Sequence, residues 1–403
     1  MKKVGILGGG QLGLLLAQSL SRLGATVVVF DPDQDAPAAK TVAKRYQAPW
    51  DDLEALTGFF SECDVVTYEF ENVDAKALAT LSAKKPTIPS AAVLKTTQNR
   101  AYEKSFLANA GLPHVPFKLS DDQRSLEKAV ASLGFPVVIK SAFGGYDGKL
   151  QISINSGLDF DELLAKPDSY EQVFPAVVEK KLQLVLETSC ITARATNGET
   201  VIFPVFENVH TNHILDTTLC PARVSPKLEG ELKKIALTAA EKLGAYGLLC
   251  TEFFITESSN AESTAFLCDG LAIYINEFAP RPHNSGHVTM SACTLSQFDA
   301  LARVLLNVPL SAPQLVSSDY FCMGNLLGDA WLSQSDDNAH NLNLAALSNH
   351  PEVISVVLYG KARAVRQRKM GHFIAKAQHA VNALQIAHSF RQDLCKAFSE
   401  KHH

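Results

Sequence analysis

The sequence has no excess of basic residues: 37 Lys and Arg stand against 42 Asp and Glu in 403 residues, a net charge of −5. A dedicated nucleic-acid binder normally carries a basic stripe, so that class is set aside. A pocket for a phosphate needs only a few placed cations and is not excluded. No Cys-x-x-Cys pair occurs. The eight cysteines (Cys63, Cys190, Cys220, Cys250, Cys268, Cys293, Cys322, Cys395) are scattered, which fits neither a disulfide framework nor a zinc site and reads as buried free thiols in a reducing cytosol. No apolar run approaches the roughly 18 residues of a membrane-spanning helix. The P-loop pattern GxxxxGK[ST] is absent, as are internal repeats, and the one low-complexity tract is the polar segment 256–263.

What is present is material for a sizeable core, with 46% hydrophobic and 20% charged residues, inside the globular range. At about 100–200 residues per domain, the length favours two to four domains. Lys2-Lys3 followed by the uncharged stretch Val4–Ser21 has the outline of a signal peptide. Gly8-Gly9-Gly10-Gln11 interrupts it, however, and the apolar run Thr26–Phe30 follows at once, ending in Asp31. Strand, glycine turn, helix, strand is the better parse, and a cytoplasmic protein is expected. The motif Gly8-x-Gly10-x-x-Gly13 permits a tight turn and lets backbone N–H groups approach an anion. A dinucleotide site, another phosphate ligand and plain helix–strand packing all remain open from it alone.

Alternation continues with a helix over 51–61, a strand over 65–68 and a helix over 75–83, a small doubly wound unit ending near Pro86–Pro89. A polar helical stretch is expected from Ala91 to Ala110. Ser120 with Gln123 reads as a capping box, and Gly134 as a helix stop. Val137-Val138-Ile139-Lys140 has strand character, residues 177–206 are β-rich, and Gly230–Leu243 reads as a helix. Strands over 249–255 and 272–278 flank the polar insertion. Helices are expected over 294–306 and about 376–398, with a strand at Val353–Leu358 between them.

The strongest chemical feature is a pair of acids on those two strands, Glu252 and Glu277, with Asn276 beside the second. Acids on hydrophobic strands need a compensating partner. Mg²⁺ bound through carboxylates and nucleotide phosphates is one reading, and pairing with Lys or Arg, or solvation at a sheet edge, is the other. After Glu277 comes Phe278-Ala279-Pro280-Arg281-Pro282-His283-Asn284-Ser285-Gly286-His287, poor as helix or strand yet dense in donors suited to an anion. Lys140 at a strand end and Lys149 in the glycine-rich turn 143–149 have the chemistry to meet triphosphate oxygens. Lys361, Arg363, Arg366, Arg368 and Lys369 form a basic cluster, either a solvated face or a phosphate-reading patch.

These segments carry a resemblance. Gly8-Gly9-Gly10-Gln11-Leu12-Gly13, Thr67-Tyr68-Glu69-Phe70-Glu71-Asn72-Val73, Gly144-Gly145-Tyr146-Asp147-Gly148-Lys149, Asn276–His287, Tyr359-Gly360-Lys361 and Arg368-Lys369-Met370-Gly371-His372 stand in that order. Together they resemble the N5-carboxyaminoimidazole ribonucleotide synthase family, ATP-grasp enzymes of bacterial and fungal purine synthesis, over nearly the whole chain. The resemblance implies an α/β ATP-grasp fold, with an N-terminal doubly wound, Rossmann-like domain (1–95) and an ATP-grasp domain (96–310, its lid at about 115–185). A small C-terminal mixed β/α domain would cover 311–403. It implies ATP, bicarbonate and aminoimidazole ribonucleotide as small-molecule substrates, two Mg²⁺ ions, a homodimer, and neither nucleic acid nor membrane as a partner.

Site residues follow from the same resemblance. Glu252 and Glu277 would hold Mg²⁺. Arg100, Lys140, Glu179, Leu182, Glu187, Asn276 and Glu277 would bind ATP, with Glu179 and Leu182 in the hinge that reads adenine through backbone groups and Glu187 on the ribose. Arg281 and His283 would orient bicarbonate and carboxyphosphate, with Tyr146, Asp147 and Lys149 as further catalytic residues. Gly10, Gln11, Leu12, Glu69, Tyr146, Asp147, Lys361 and Arg368 would surround the ribonucleotide, Lys361 and Arg368 on its 5′-phosphate.

Three positions depart from the family pattern. Leu14 stands where Arg is usual, Leu150 where Gly is usual, and Val365-Arg366-Gln367 where Arg-Pro-Gly is usual. None touches Glu252, Glu277, Arg281 or His283, and an active enzyme is expected. A formate-dependent glycinamide ribonucleotide transformylase is the nearest rival, disfavoured by the 359–361 and 370–372 contexts. A nicotinamide-dependent oxidoreductase would leave the two acids and the 279–287 loop without a role. A catalytically silent nucleotide-binding protein would require their loss.

Overall fold

The computed structural model describes residues 1–144, 150–332 and 341–396. The N-terminal segment forms a four-stranded parallel sheet in the order Lys44–Tyr46, Thr26–Phe30, Lys3–Leu7, Val65–Tyr68. Its central strands are buried on both faces, which is why they read as continuous apolar runs rather than as alternation. The helix Gln11–Arg22 starts on Gly10. Gly13 must lack a side chain, because a Cβ there would lie 2.5 Å from the Gly8 carbonyl oxygen. Leu14 is 7% exposed and packs in the core, so the charge usual at this position is replaced by apolar burial.

The stretch expected as one helix over 91–110 is two, Ala91–Thr97 and Arg100–Asn109. Asn99 breaks it, because its side chain accepts from the Tyr102 N–H and caps the second helix. The capping box expected at Ser120/Gln123 sits two residues on. Asp122 accepts from the Ser125 N–H and Ser125 Oγ accepts from the Asp122 N–H, while Ser120 ends the strand Phe117–Ser120. A short antiparallel sheet follows, in the order Phe117–Ser120, Ala176–Lys180, Val137–Ser141, Gln151–Ile154, with Leu126, Val130, Ile139 and Val178 in its own core.

Among the described residues the largest sheet has ten strands. Toward one end of it, Gly247–Glu257 pairs with Leu271–Ala279 on one side and Leu186–Arg194 on the other. Glu252 therefore lies in the sheet interior, between two paired strands, whereas Glu277 lies on the next strand, beyond the reach of its short outer neighbour Phe266–Cys268. Phe206–Thr211 and Ile214–Cys220 continue the sheet, and the C-terminal strands Tyr320–Leu327, Lys369–Ala377 and Val353–Leu358 extend it without a break. One core cluster joins Leu16, Phe298, Leu301 and Tyr359 from all three regions of the chain. The helix expected at 294–306 starts at Gln297, and the last helix is Ala380–Leu394, because residues 376 and 377 still belong to a strand. Seven of the eight cysteines are buried, and all are free.

Two of the departures from the family pattern share one backbone feature. Leu150 has φ +55° and Gln367 φ +66°, the left-handed region where a side chain is strained and glycine is not. Gln367 is held there by its N–H donating to Asp329 Oδ2 at 2.7 Å. Relief of roughly 1–2 kcal/mol of strain against roughly 0.5–1 kcal/mol of added unfolded-chain entropy leaves a net gain. Gln367→Gly should stabilise the protein by about 0.5–1 kcal/mol, read as a higher denaturation midpoint at unchanged slope.

Candidate active site

A cavity of about 1180 Å³ opens where the three sheets meet. A second cavity of about 480 Å³, between the helices Gln11–Arg22 and Gln297–Leu306, is lined by none of the residues named from the sequence. The large cavity is built around a β-bulge. Glu252 faces Glu277, but Phe253 faces Ile275, so Asn276 is left without an opposite residue. The extra residue re-aims the strand and brings Asn276 and Glu277, neighbours in sequence, onto the same cavity.

Neither acid is left alone. Glu252 Oε1 lies 2.9 Å from His283 Nε2, and Glu277 Oε2 accepts from Arg100 Nη1 at 3.0 Å. Burial pushes the Glu252 carboxyl up, but His283, with His210 and Arg281, outweighs it and holds the group down at about 2. Glu252 is therefore a carboxylate throughout the physiological range. Asn276 Oδ1 is buried and has no hydrogen-bond partner among the described residues. Two carboxylates and an orphaned amide oxygen are hard oxygen donors of the kind Mg²⁺ takes when phosphates complete its shell, so the residues present fit that ion. No cage of three or more His, Cys, Asp or Glu side chains occurs among the described residues.

A buried ionic network lies beside the acids. Lys140 Nζ is 2.7 Å from Glu179 Oε2, and Lys104 Nζ is 3.3 Å from the other carboxylate oxygen. Burial raises the Glu179 carboxyl, but Lys104, Lys140 and Arg100 overcome it and hold the group at about 2. The resemblance puts Glu179 in the adenine hinge through its backbone; its side chain fixes the two lysines. Leu182 and Glu187 line the same cavity. Lys104 also donates to the Asn276 carbonyl at 2.8 Å, and Glu103 accepts from the Phe278 N–H at 2.7 Å, so one helix face holds the bulged strand. Burial, then Glu277, pushes the Glu103 carboxyl up to about 8.

The 279–287 loop is over-determined. The Gln297 side chain accepts from the His283 N–H at 2.9 Å and donates to the His283 carbonyl at 2.7 Å. Arg281 Nη2 donates to Glu71 Oε2 at 2.9 Å. His287 is buried and stacks on His372 at 4.5 Å, and His372 Nδ1 lies 2.8 Å from the Tyr359 hydroxyl. Burial drives both imidazoles down, His372 to about 3, so the stack is neutral.

Lys361 and Arg368 line the far part of the cavity, with Gln11, Leu12 and Glu69. The platform beneath them is Gly328, where a Cβ would lie 2.0 Å from the Val365 carbonyl oxygen. Its N–H donates to the Arg368 carbonyl at 2.8 Å. The Gly10 amide, expected on the ribonucleotide, is already engaged. It donates to Glu69 Oε1 at 2.8 Å, and the Gly13 amide to Glu69 Oε2 at 2.9 Å. The Gly9 amide donates to Asp31 Oδ2 at 2.6 Å. Internal carboxylates thus fill the anion position of the glycine turn, which argues against a dinucleotide pyrophosphate there. Tyr146, Asp147 and Lys149 lie outside the described residues.

Sequence reasoning missed three groups that line the cavity, Glu71, Glu103 and His210, and the buried Lys104 behind it. Arg100, Glu103, Lys104 and Leu107 share the i, i+3, i+4, i+7 spacing of a buried helix face, and charged residues on such a face were the available sign. His210 Nδ1 lies 3.0 Å from Glu187 Oε2 because Asn208 pairs with Glu187 in the sheet register. That register is not readable from spacing.

Comparison with known proteins agrees with this geometry. Residues 1–98 match the family model of the ribonucleotide synthetase preATP-grasp domain, 105–298 that of the ATP-grasp domain, and 322–385 that of the phosphoribosylaminoimidazole carboxylase C-terminal domain. The chain is 37% identical over 372 residues to the N5-carboxyaminoimidazole ribonucleotide synthase of Staphylococcus aureus (strain COL), covering 92% of this chain and 91% of that protein. Against the Bacillus subtilis (strain 168) protein of the same name the identity is 33%, covering 92% and 90%. The Staphylococcus aureus synthetase structure complexed with ADP superposes with a TM-score of 0.85 at 34% identity, covering 97% of each chain. The Aspergillus clavatus synthase in complex with ADP and 5-aminoimidazole ribonucleotide gives 0.83 at 29%, covering 98% of each. The expected ATP-grasp architecture is the one observed.

Proposed function

The chain belongs to the N5-carboxyaminoimidazole ribonucleotide synthase family of ATP-grasp enzymes, and from that premise we infer how its own cavity works. It is an ATP-dependent carbon–nitrogen ligase of purine synthesis. The observation that carries the reading is a single cavity lined by two sets of cations, Arg100 and Lys140 by the paired acids and Lys361 and Arg368 by the glycine turn. Such a cavity suits two phosphorylated ligands, ATP and aminoimidazole ribonucleotide.

A bicarbonate oxygen attacks the γ-phosphorus of ATP, the bond to the β–γ bridging oxygen breaks, and carboxyphosphate and ADP result. Loss of phosphate from carboxyphosphate leaves CO₂, and the exocyclic amine of the ribonucleotide adds to its carbon and gives up a proton. Most of the catalysis is positioning and charge stabilisation. Arg281 and His283 hold the bicarbonate-derived oxygens, Lys140 and Arg100 the ATP phosphates, and Lys361 and Arg368 the 5′-phosphate. Glu187 with His210 takes the ribose end of ATP. Mg²⁺ would be held by Glu252 and Glu277 and would neutralise phosphate charge. The family resemblance supports a cytoplasmic homodimer, which sedimentation tests; no described helix is long and apolar enough to cross a membrane.

Phosphate release in ATP, Mg²⁺ and bicarbonate should be stimulated by aminoimidazole ribonucleotide, and no stimulation would reject the reading. The same assay carries a pH prediction. Burial, then Arg368, holds the Lys361 amine down to about 8. The ligand phosphate gains its second charge near pH 6. Ribonucleotide affinity should rise as pH passes about 6, then fall above about 8 as Lys361 loses its proton. Lys361→Ala should remove the alkaline limb and raise the ribonucleotide KM well above its effect on the ATP KM. Equal effects on both would reject the assigned role.

A further inference from the structure

We propose that Glu71 is the positioning residue for Arg281, by which the N-terminal unit sets the geometry of the bicarbonate-binding loop. Glu71 lies in the turn after the strand Val65–Tyr68, whereas Arg281 follows the strand Leu271–Ala279 of the large sheet. Glu71 Oε2 meets Arg281 Nη2 at 2.9 Å, with the side chains only 26% and 18% exposed. Arg281 Nη1 is turned to the Pro282 carbonyl at 3.0 Å. The guanidinium is thus held at two nitrogens, and its plane is defined.

The turn that carries Glu71 is itself fixed. Gln98 Nε2 donates to the carbonyls of Glu71 and Val73 at 3.3 and 3.4 Å, tying the turn to the end of the helix Ala91–Thr97. The next helix begins at Arg100, which pairs with Glu277. A short run of chain therefore anchors both the residue that orients Arg281 and the cation beside the paired acids. Without its carboxylate partner a largely buried guanidinium turns toward a remaining acid, and Glu69, which also acts on its charge, stands on the ribonucleotide side. A displacement of about 1 Å at a substrate-orienting group is worth about a hundredfold in rate.

This inference rests on the assignment of Arg281 to bicarbonate. The test uses the full-length enzyme with four variants: Glu71→Ala, Glu71→Gln, Arg281→Ala and the Glu71→Ala/Arg281→Ala pair. Glu71→Ala should lower kcat by about a hundredfold and raise the bicarbonate KM, with the ATP KM within about twofold. Glu71→Gln, which keeps an acceptor oxygen and the side-chain shape, should recover part of the loss. In the Arg281→Ala background, Glu71→Ala should add nothing, a non-additivity that a merely structural role does not produce. Full activity of Glu71→Ala, or additive losses in the pair, would overturn the inference while leaving Arg281 in place. Near-normal activity of Arg281→Ala would overturn the assignment on which it rests.

Discussion

Replacing Glu277 by Gln should lower kcat by about a thousandfold, about 4 kcal/mol at the transition state, without unfolding the protein. The amide keeps the volume and an acceptor oxygen for Arg100, which donates to Glu277 at 3.0 Å. With the carboxylate side chain 38% exposed, solvent screens the lost charge and the stability cost stays within about 1 kcal/mol. What disappears is the charge that faces Glu252 across the bulge and makes the site a match for Mg²⁺. ATP should still bind in the absence of the ion, because Arg100 and Lys140 remain. Phosphate release at saturating ATP, ATP binding by calorimetry and a denaturation curve together decide it. Turnover near the normal rate would show that the ion is held elsewhere.

The same pair of acids shows where the sequence was legible. Glu252 and Glu277 stood out because a charge in a run such as Thr-Glu-Phe-Phe is costly unless it is used. The 279–287 loop stood out because its composition suits neither helix nor strand. Local patterns of this sort also located most strands and the helix stop at Gly134, whose φ is +68°. Pairing was not legible. Glu69 occupies the glycine turn because the strands Lys3–Leu7 and Val65–Tyr68 run parallel with Leu7 beside Tyr68, a register that no local signal encodes. Glu71 meets Arg281, and Lys104 meets Glu179, across still longer separations in the chain. The resemblance supplied the roles of Lys361 and Arg368 but not the platform at Gly328 and Asp329, which matters only once the loop is folded onto it. Buried charge on a helix face at Glu103 and Lys104 is readable in principle from its spacing, but in a stretch that is polar overall nothing local marks which face is buried.

His283→Ala should reduce kcat by about 10²–10⁴-fold, and the reason lies in a chain of buried polar groups behind the ring. Thr218 Oγ1 donates to Asn208 Oδ1 at 3.0 Å, and Asn208 Nδ2 donates to Ser189 Oγ at 2.8 Å. Ser189 Oγ lies 2.9 Å from Ser285 Oγ, which lies 2.8 Å from His283 Nδ1. The Glu252 carboxylate can only accept from Nε2, which leaves Nδ1 as the acceptor of a neutral ring and Ser285 Oγ as its donor. The Ser285 N–H also points at Nδ1, at 3.4 Å, which agrees with an acceptor there. The proton is thereby assigned to Nε2, 2.9 Å from Glu252 Oε1. The ring is aimed at the carboxylate and the cavity by a network that costs nothing to reorganise during the reaction. Ser285→Ala should remove that bias while leaving the ring in place. Its expected loss in kcat is about tenfold, with the ATP KM unchanged. If His283→Ala keeps more than about a tenth of normal kcat, the ring is only a structural partner of Glu252. If Ser285→Ala is fully active, the tautomer is set by Glu252 alone and the chain behind it serves packing.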